Sequence, residues 1–138
     1  MNEKYMDLAI KEAYKAYNKE DVPVGAVIIS RDHVISKAHN TKNITNNATN
    51  HAEILAISKA CKKLGTWRLN DCTMYVTLEP CPMCYGAIIE SRIKKVVYIA
   101  DSDYDKLHVY NSKNLKMEKI TNSKYIEDLT NFFKNLRS

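Results

Sequence analysis

The sequence predicts a three-layer α/β domain built on a central sheet of about five strands. Segments with apolar residues at helical spacing alternate with short apolar runs that are rich in β-branched residues. The 138 residues are 45% hydrophobic and 27% charged, which is ordinary for a globular domain. The chain has three glycines and three prolines and shows neither a repeat nor a linker, so we expect one domain over residues 1–138.

The N-terminal segment predicts an amphipathic helix followed by a strand hairpin. Apolar residues recur at helical spacing from Met6 to Tyr17, which predicts a helix over roughly 2–19. The run 24–29 is apolar and β-branched, as is typical of a buried strand. We expect this strand to return as a hairpin partner over 33–38.

A polar stretch and a second helix follow the hairpin. Residues 39–50 include five asparagines and three threonines, a composition that cannot pack a core and therefore predicts a loop. Residues 51–64 carry an apolar face at helical spacing, and Gly65 is placed to end that helix. We expect Thr49 or Asn50 to cap its start.

The second half of the chain continues the alternation of strands and helices. A strand is predicted over 73–78, and a helix over 82–91 has proline at its first position, where a missing N–H costs nothing. Residues 95–100 predict another buried strand and 115–120 a weaker one. Ser123 is expected to cap a last helix, whose apolar residues follow the 3.6-residue period.

Composition and charge exclude some classes of protein. No apolar run approaches the roughly 18 residues of a membrane-spanning helix, and the N-terminus carries acidic residues instead of an apolar signal segment. We therefore expect a cytoplasmic protein without a membrane partner, whose four cysteines are reduced. The net charge of +5 mildly favours a polyanionic partner, although many soluble proteins carry that much charge.

One constellation of residues indicates a chemical function. His51-Ala52-Glu53 is followed, thirty positions after the histidine, by Pro80-Cys81-Pro82-Met83-Cys84. The pattern H-x-E and then P-C-x-x-C is the signature of zinc-dependent base deaminases. Cys81 is expected at a helix N-terminus with Cys84 one turn later, so both sulfurs face the same way. The positive end of the helix dipole favours the thiolates that zinc needs.

Three protein ligands leave the fourth tetrahedral position for water, which is typical of a catalytic zinc site. Zinc lowers the pKa of that water from ~15.7 towards ~7 and so gives zinc-bound hydroxide at neutral pH. Glu53 lies two residues after His51, close to the metal without needing to bind it. We expect Glu53 to be the proton shuttle.

Other interpretations of the Cys-x-x-Cys pair remain open at this stage. The pair could be half of a structural zinc site or a redox pair. A structural site needs a fourth protein ligand, and a redox pair leaves His51 and Glu53 unexplained. The spare ligands have no ligand-like spacing to one another; they are His33, His39, Cys61, Cys72 and His108.

The sequence resembles the bacterial tRNA-specific adenosine deaminases (TadA), which have the cytidine deaminase-like fold. The similarity covers residues from about 5 to 101 and the last helix. The metal motif is common to the whole superfamily, whereas two longer runs are more characteristic of its adenosine and guanine deaminase branch. These runs are Val22-Pro23-Val24-Gly25-Ala26 and Tyr75-Val76-Thr77-Leu78-Glu79-Pro80-Cys81.

The resemblance implies an α/β/α sandwich with a mixed five-stranded sheet. It also implies a zinc-dependent hydrolase, acting as a homodimer, that converts the wobble adenosine of a tRNA anticodon stem-loop to inosine. One zinc ion per subunit is expected. The implied residues are His51, Cys81 and Cys84 for the metal, Glu53 for general acid/base catalysis, Asn40 for hydrogen bonding the base or its ribose, and Val24, Gly25 and Ala26 for the base pocket.

Two regions depart from the pattern of that family. Ser102 stands where a substrate-contacting aspartate is usual, with Asp101 and Asp103 as the available substitutes, and the segment that follows is shortened. Residues 46–50 replace a more usual Asp-Pro-Thr-Ala. Both regions concern which substrate is held and leave the deamination chemistry unaffected.

Three candidate functions therefore remain open. The leading one is deamination of the wobble adenosine in tRNA, because a loop base is already unpaired and its extrusion costs less than in a duplex. The second is deamination of a free base or nucleoside of the guanine, cytosine or cytidine type, which the shortened segment favours. The third is a non-catalytic zinc module that binds RNA, against which Glu53 argues. Candidate phosphate contacts are Lys94, Lys95, Lys134 and Arg137.

Overall fold

The computed structural model describes residues 2–102 and 114–136. Each helix and strand predicted from the sequence is present, with ends within one residue of the prediction. Across these two ranges no helix has the length and apolar character needed to cross a lipid bilayer. The elements are α1 (Asn2–Asn18), β1 (Gly25–Ser30), β2 (His33–His39), α2 (Lys42–Thr45), α3 (Ala52–Leu64), β3 (Cys72–Leu78), α4 (Pro82–Glu90), β4 (Lys95–Ala100), β5 (Lys116–Lys119) and α5 (Ser123–Leu136).

The five strands form one mixed sheet in the order β2-β1-β3-β4-β5. Strand β1 is antiparallel to both β2 and β3, whereas β3, β4 and β5 run parallel. Of the parallel neighbours, β3 and β4 are joined through α4, a helical crossover of the kind that parallel pairing requires. The predicted mixed five-stranded sheet is confirmed.

Helices cover both faces of the sheet. Along β1, Ala26 and Ile28 belong to a core cluster that includes Ala56 of α3 and Ile88 of α4. The alternate residues, such as Val27, belong to a second cluster with residues of α1 and α5. Successive side chains of a strand point to opposite faces, so the continuous apolar run of β1 serves two cores at once. The predicted three-layer α/β/α architecture is confirmed.

The predicted caps of two helices are wrong. The residue at the N-cap of α3 is His51 instead of Thr49 or Asn50, and its side chain makes no capping bond. The amide of Ala52 is instead bound by Asn40 Oδ1 at 2.9 Å. At α5 the amide of Tyr125 donates to Asn122 Oδ1 at 3.0 Å, so Asn122 is the capping residue, one position before Ser123.

The predicted loop 39–50 contains the short helix α2, which the composition of the segment does not indicate. The carboxylate of Asp21 holds its first turn in place. Oδ2 accepts the N–H groups of Asn43 and Ile44 at 2.9 and 3.2 Å, and Oδ1 accepts that of Val22 at 2.9 Å. Asp21 is 0% exposed. Asp21 lies 22 residues before Asn43 and 23 before Ile44 in the chain, so a local sequence pattern cannot reveal this cap.

Gly25 allows α1 to pack directly on β1. A Cβ atom built at this position would lie 1.9 Å from the carbonyl oxygen of Ala9 and 2.6 Å from the amide nitrogen of Ala13. Both atoms belong to the helix backbone, which cannot move aside as a flexible side chain can. Only glycine is therefore compatible with this helix–sheet distance.

We predict that Gly25→Ala lowers the free energy of unfolding by about 3 kcal/mol or more, because the helix must shift off the sheet. The matched control is Gly65→Ala at the end of α3, where φ is +68° and no atom lies within 4 Å of the added Cβ. Its cost is about 1–2 kcal/mol, from the left-handed backbone alone. Urea unfolding measures both, and equal costs would contradict the packing argument.

We predict that Asp21→Ala lowers the free energy of unfolding by about 2 kcal/mol, because it removes the acceptor of three backbone N–H groups. Hydrogen exchange at the amides of Asn43 and Ile44 should become faster than in the wild type. Asp7→Ala, which removes an exposed carboxylate from α1, is the control and should change stability by less than about 0.5 kcal/mol. Unchanged exchange at Asn43 and Ile44 would remove Asp21 from this role.

Candidate active site

The predicted site residues lie at one edge of the sheet. The parallel strands β3 and β4 end at this edge, and because β1 is antiparallel to β3, β1 begins there and β2 ends there. Helix α3 begins after the loop that follows β2, and α4 begins after the turn that follows β3. The first residues of both helices therefore meet at a single place.

His51, Cys81 and Cys84 lie together where these helices begin. His51 Nδ1 is 3.7 Å from Cys81 Sγ and 3.5 Å from Cys84 Sγ. The ligand atoms of the three residues all lie within 4.8 Å of one another. Throughout residues 2–102 and 114–136 this is the one group of three or more His, Cys, Asp or Glu side chains arranged in this way. The three residues could hold a metal ion.

The two cysteines differ in protonation. Cys81 is the N-cap residue of α4, and Cys84 is buried in its first turn. A hydrogen bond from the Cys84 thiol lowers the pKa of Cys81 to about 5, with further contributions from the backbone N–H groups of Met83 and Cys84. The same hydrogen bond and burial raise the pKa of Cys84. Cys81 is therefore a thiolate at neutral pH, ready to bind a cation.

Glu53 lies in the first turn of α3 and is 4% exposed. Burial raises the pKa of its carboxyl group to about 7, and the nearby Cys81 charge adds to this effect. The carboxyl group also has a hydrogen bond with Cys84, which places it beside the three possible metal ligands. A carboxyl group with a pKa near neutrality can both accept and donate a proton at physiological pH.

A small cavity of about 140 Å³ opens beside Glu53. Among the predicted substrate-binding residues, Val24 and Asn40 line it. Asn40 is buried, its N–H donates to the Val24 carbonyl at 3.1 Å, and its Oδ1 accepts the Ala52 N–H. Its side-chain NH₂ is thus the group that Asn40 can offer to a bound molecule.

Two predicted pocket residues, Gly25 and Ala26, are not among those that line the cavity. Gly25 faces α1, since its missing Cβ would collide with the backbone of that helix. Ala26 is 0% exposed and is packed in the core cluster with α3 and α4. Packing of β1 between the two helical layers therefore accounts for both small residues.

Five further residues complete the cavity wall, of which the sequence had pointed only to Ser102, as the residue at a usual substrate-contacting position. Ser102 donates its N–H to Glu79 Oε1 at 3.1 Å and its hydroxyl to the Glu79 carbonyl. Both residues follow parallel strands at the same edge of the sheet, and this adjacency is the signal that could have identified Glu79. The five residues are Val22, Lys42, Leu78, Glu79 and Ser102.

The spare metal ligands lie apart from this site. His33 is exposed at the start of β2, and His39 Nδ1 is 3.0 Å from Glu12 Oε1. Burial raises the pKa of the Cys61 and Cys72 thiols, so both remain neutral. His108 lies outside the described residues.

Some of the residues that were expected to contact the substrate outside the cavity lie within the described residues, and others do not. Asp101 pairs with Lys119 at 2.7 Å, and Lys134 lines a hollow next to Ser102. Lys95 pairs with Glu118 at 3.2 Å, whereas Lys94 is exposed. Asp103 and Arg137 lie outside the described residues.

Comparison with known proteins identifies the family. The model of the MafB19-like deaminase family matches residues 1–137. The chain is 41% identical over 148 aligned positions to a tRNA-specific adenosine deaminase of Aquifex aeolicus, covering 99% of this chain and 96% of that protein. The tRNA-specific adenosine deaminase of Bacillus subtilis is 54% identical over 97 residues, a match that spans 70% of this chain and 60% of that protein.

Solved structures agree with these matches. A structure from studies of A-to-I editing by tRNA:A34 deaminases is 33% identical, with a TM-score of 0.78 over 86% of this chain and 98% of that one. The guanine deaminase from Bacillus subtilis is 30% identical, with a TM-score of 0.71 over 97% of this chain and 94% of that one. The chain is therefore a MafB19-like deaminase that belongs to the family of tRNA-specific adenosine deaminases.

Proposed function

We propose that this protein deaminates the wobble adenosine of a tRNA anticodon loop to inosine. One observation carries the proposal: the three possible metal ligands and a buried carboxyl group with a pKa near 7 lie together beside a small cavity. The relatives that match nearly the whole chain are named for this reaction, which supports adenosine in tRNA as the substrate.

Zinc is the metal that fits the donor set. In a tetrahedral site with Zn–S near 2.3 Å and Zn–N near 2.1 Å, sulfur and nitrogen donors lie about 3.6 Å apart. The distances of 3.7 and 3.5 Å from His51 Nδ1 to the two sulfurs match this value. One zinc ion per subunit would be held by His51, Cys81 and Cys84. When bound, the ion lowers the pKa of water and so supplies the nucleophile at neutral pH.

Glu53 moves the protons of the reaction. Hydrolytic deamination consumes one water and releases ammonia: the water oxygen replaces the amino group, one water proton ends on the ring nitrogen and the other leaves with the ammonia. Glu53 accepts the first proton from water and gives it to the ring nitrogen. It then takes the second proton from the hydroxyl group added to the ring and gives it to the departing amine. Burial raises the pKa of its carboxyl group, which favours delivery of the proton to the base and to the departing amine.

Asn40 and Val24 orient the base. The cavity of about 140 Å³ is smaller than the roughly 300–1,000 Å³ of a typical drug-sized site, so it has room for a nucleobase and leaves the ribose and phosphates outside. The apolar Val24 contacts the flat ring, and the side-chain NH₂ of Asn40 donates a hydrogen bond to the base or its ribose.

A larger hollow next to the cavity favours a polymeric substrate. Its volume is about 720 Å³, and it shares Leu78 and Ser102 with the small cavity. Phe133, which is 38% exposed, and Lys134 line it. An exposed aromatic ring beside a cation suits a flanking base and its phosphate, because bases stack on aromatic side chains.

The second candidate is a free-base deaminase of the guanine type. The likeness to the guanine deaminase of Bacillus subtilis, at 30% identity over 97% of this chain, supports it. Ser102, in place of the usual aspartate, lines the cavity and is therefore positioned to alter base selection. The higher identity to adenosine deaminases over the whole chain favours tRNA.

We further propose that the protein acts as a cytoplasmic homodimer, as the resemblance to its family implies. Met83 in the first turn of α4 is 39% exposed, and a second copy would cover this apolar side chain.

We predict that purified protein with zinc converts adenosine to inosine in an anticodon stem-loop with a wobble adenosine. Nucleotide analysis of the digested RNA detects the product. The same preparation is tested in parallel with guanine, cytosine and cytidine. Ammonia release from a free base, with no inosine in the stem-loop, would replace the RNA assignment by the second candidate.

We predict that Glu53→Gln keeps the metal and reduces turnover by roughly 10²–10⁴-fold, because the amide has the shape of the carboxyl group but cannot shuttle a proton. Metal analysis and inosine formation give the two readouts. Glu90→Gln, an exposed residue at the end of α4, is the matched control and should be as active as the wild type. Undiminished turnover in Glu53→Gln would remove Glu53 from catalysis.

A further inference from the structure

The end of the molecule away from the cavity carries an exposed aromatic ring between two cations. Trp67, the one tryptophan of the chain, is 51% exposed in the connection from α3 to β3. The guanidinium carbon of Arg68 lies 4.7 Å from the centre of its ring, and that of Arg92 lies 5.5 Å away. A guanidinium held on an indole face keeps its N–H groups in a fixed plane, from which it can bind a phosphate with two hydrogen bonds.

Backbone contacts hold the two arginines in position. Leu69 is buried, and its N–H donates to the Ser91 carbonyl at 2.7 Å, which joins the loop after α3 to the turn after α4. Arg92 adopts a left-handed conformation with φ 69°, and its Nη1 donates to the carbonyls of Ile89 and Glu90. The arrangement is thus fixed by the fold and does not depend on two free side chains meeting by chance.

A cavity of about 480 Å³ is lined by Arg92, the arginine that also lies over the Trp67 ring. Arg92 and Lys94 supply its cations, Asn70 supplies an amide, and Ile93 forms part of its apolar wall. We call Trp67, Arg68, Arg92 and Lys94 the Trp67 patch. All four side chains are exposed.

The charge around the patch is positive. The last turn of α3 adds the exposed Lys62 and Lys63 just before it. Of the nearby acids, Asp71 pairs with Arg31 at 3.5 Å, and Glu90 is exposed at the end of α4. Cations therefore predominate on a surface that also presents an aromatic ring, which is the combination that binds RNA backbones and unpaired bases.

We propose that the Trp67 patch is a second RNA-contact site that binds the phosphate backbone of the tRNA substrate away from the deaminated base. The inference rests on the proposed tRNA substrate. Helix α3 begins next to His51 and ends before Gly65, so its 13 residues place the patch about 20 Å from the metal-ligand cluster. This distance corresponds to about six nucleotide steps of roughly 3.4 Å along a stacked strand, so one bound tRNA can reach both sites.

The test measures binding of fluorescently labelled full-length tRNA to the zinc-loaded protein between 50 and about 300 mM salt. The patch variant, Arg68→Gln/Lys94→Gln, removes two charges from the Trp67 patch. The control is the α1 variant, Lys4→Gln/Lys11→Gln, which removes two exposed charges from α1 on the other face of the sheet. Each phosphate contact contributes about 0.7–0.9 to the slope of log K against log salt. We expect the patch variant to bind about 10-fold more weakly and to lose 1–2 units of slope, and the α1 variant to match the wild type.

Trp67→Ala provides a second variant that keeps every charge. It should weaken tRNA binding by removing the aromatic ring and freeing the side chain of Arg68, with circular dichroism showing whether the fold is intact. Equal effects of the two double variants would indicate net charge alone and overturn the proposal. A patch variant that binds tRNA as tightly as the wild type would also overturn the proposal. So would a patch variant that binds more weakly and has a changed oligomeric state in sedimentation, because the patch would then be an interface between copies of the chain.

Failure of this proposal is distinguishable from failure of the proposed function. Inosine formation by the wild type on the anticodon stem-loop tests the reaction, whereas the comparison of variants tests the patch. If the wild type forms inosine and the patch variant binds tRNA as tightly as the wild type, only the proposal for the patch fails. If the wild type forms no inosine but binds tRNA through the patch, only the proposed reaction fails.

Discussion

The whole site depends on the meeting of two helix starts at one edge of a mixed sheet. The start of α3 carries His51 and Glu53, and the start of α4 carries Cys81 and Cys84, so the four side chains of the candidate site come from two rigid elements. The sheet fixes where these helices begin, because β3 and the parallel β4 end beside the start of β1. The positive end of α4 favours the Cys81 thiolate, and the fold therefore brings the three possible metal ligands together where backbone dipoles stabilise that negative charge.

Different environments give the neighbouring groups different protonation states. Desolvation raises the pKa of Glu53 to about 7, whereas the hydrogen bond from Cys84 lowers that of Cys81 to about 5. The proposed metal ligand and the proposed proton shuttle need these opposite properties at one pH. Separation of pKa values by environment is a recurrent way of assigning different roles to adjacent titratable groups.

Several residues that line the cavity are anchored less directly than the three possible metal ligands. Asn40 and Lys42 lie in the segment between β2 and α3, which Asp21 fastens through α2, and Ser102 depends on Glu79. The departures from the family pattern fall in these segments, so residues around the cavity can vary while the geometry of the possible metal ligands is kept. Loops on a rigid scaffold are where specificity usually varies. The Trp67 patch extends the same division, with a proposed backbone contact far from the reacting base.

The sequence by itself determined every helix and strand except α2, their order and the chemical class. Periodicity located these helices and strands, and the spacing of His51, Glu53, Cys81 and Cys84 indicated a deaminase, because these signals are local or depend on residue type alone. Tertiary structure decided the rest. Gly25 proved to face α1, Asn40 and Asp21 proved to cap helices that begin 12 and 21 residues later in the chain, and Trp67 proved to contact Arg92 in the turn after α4. Each of these contacts joins residues distant in sequence, and only packing determines which distant groups become neighbours.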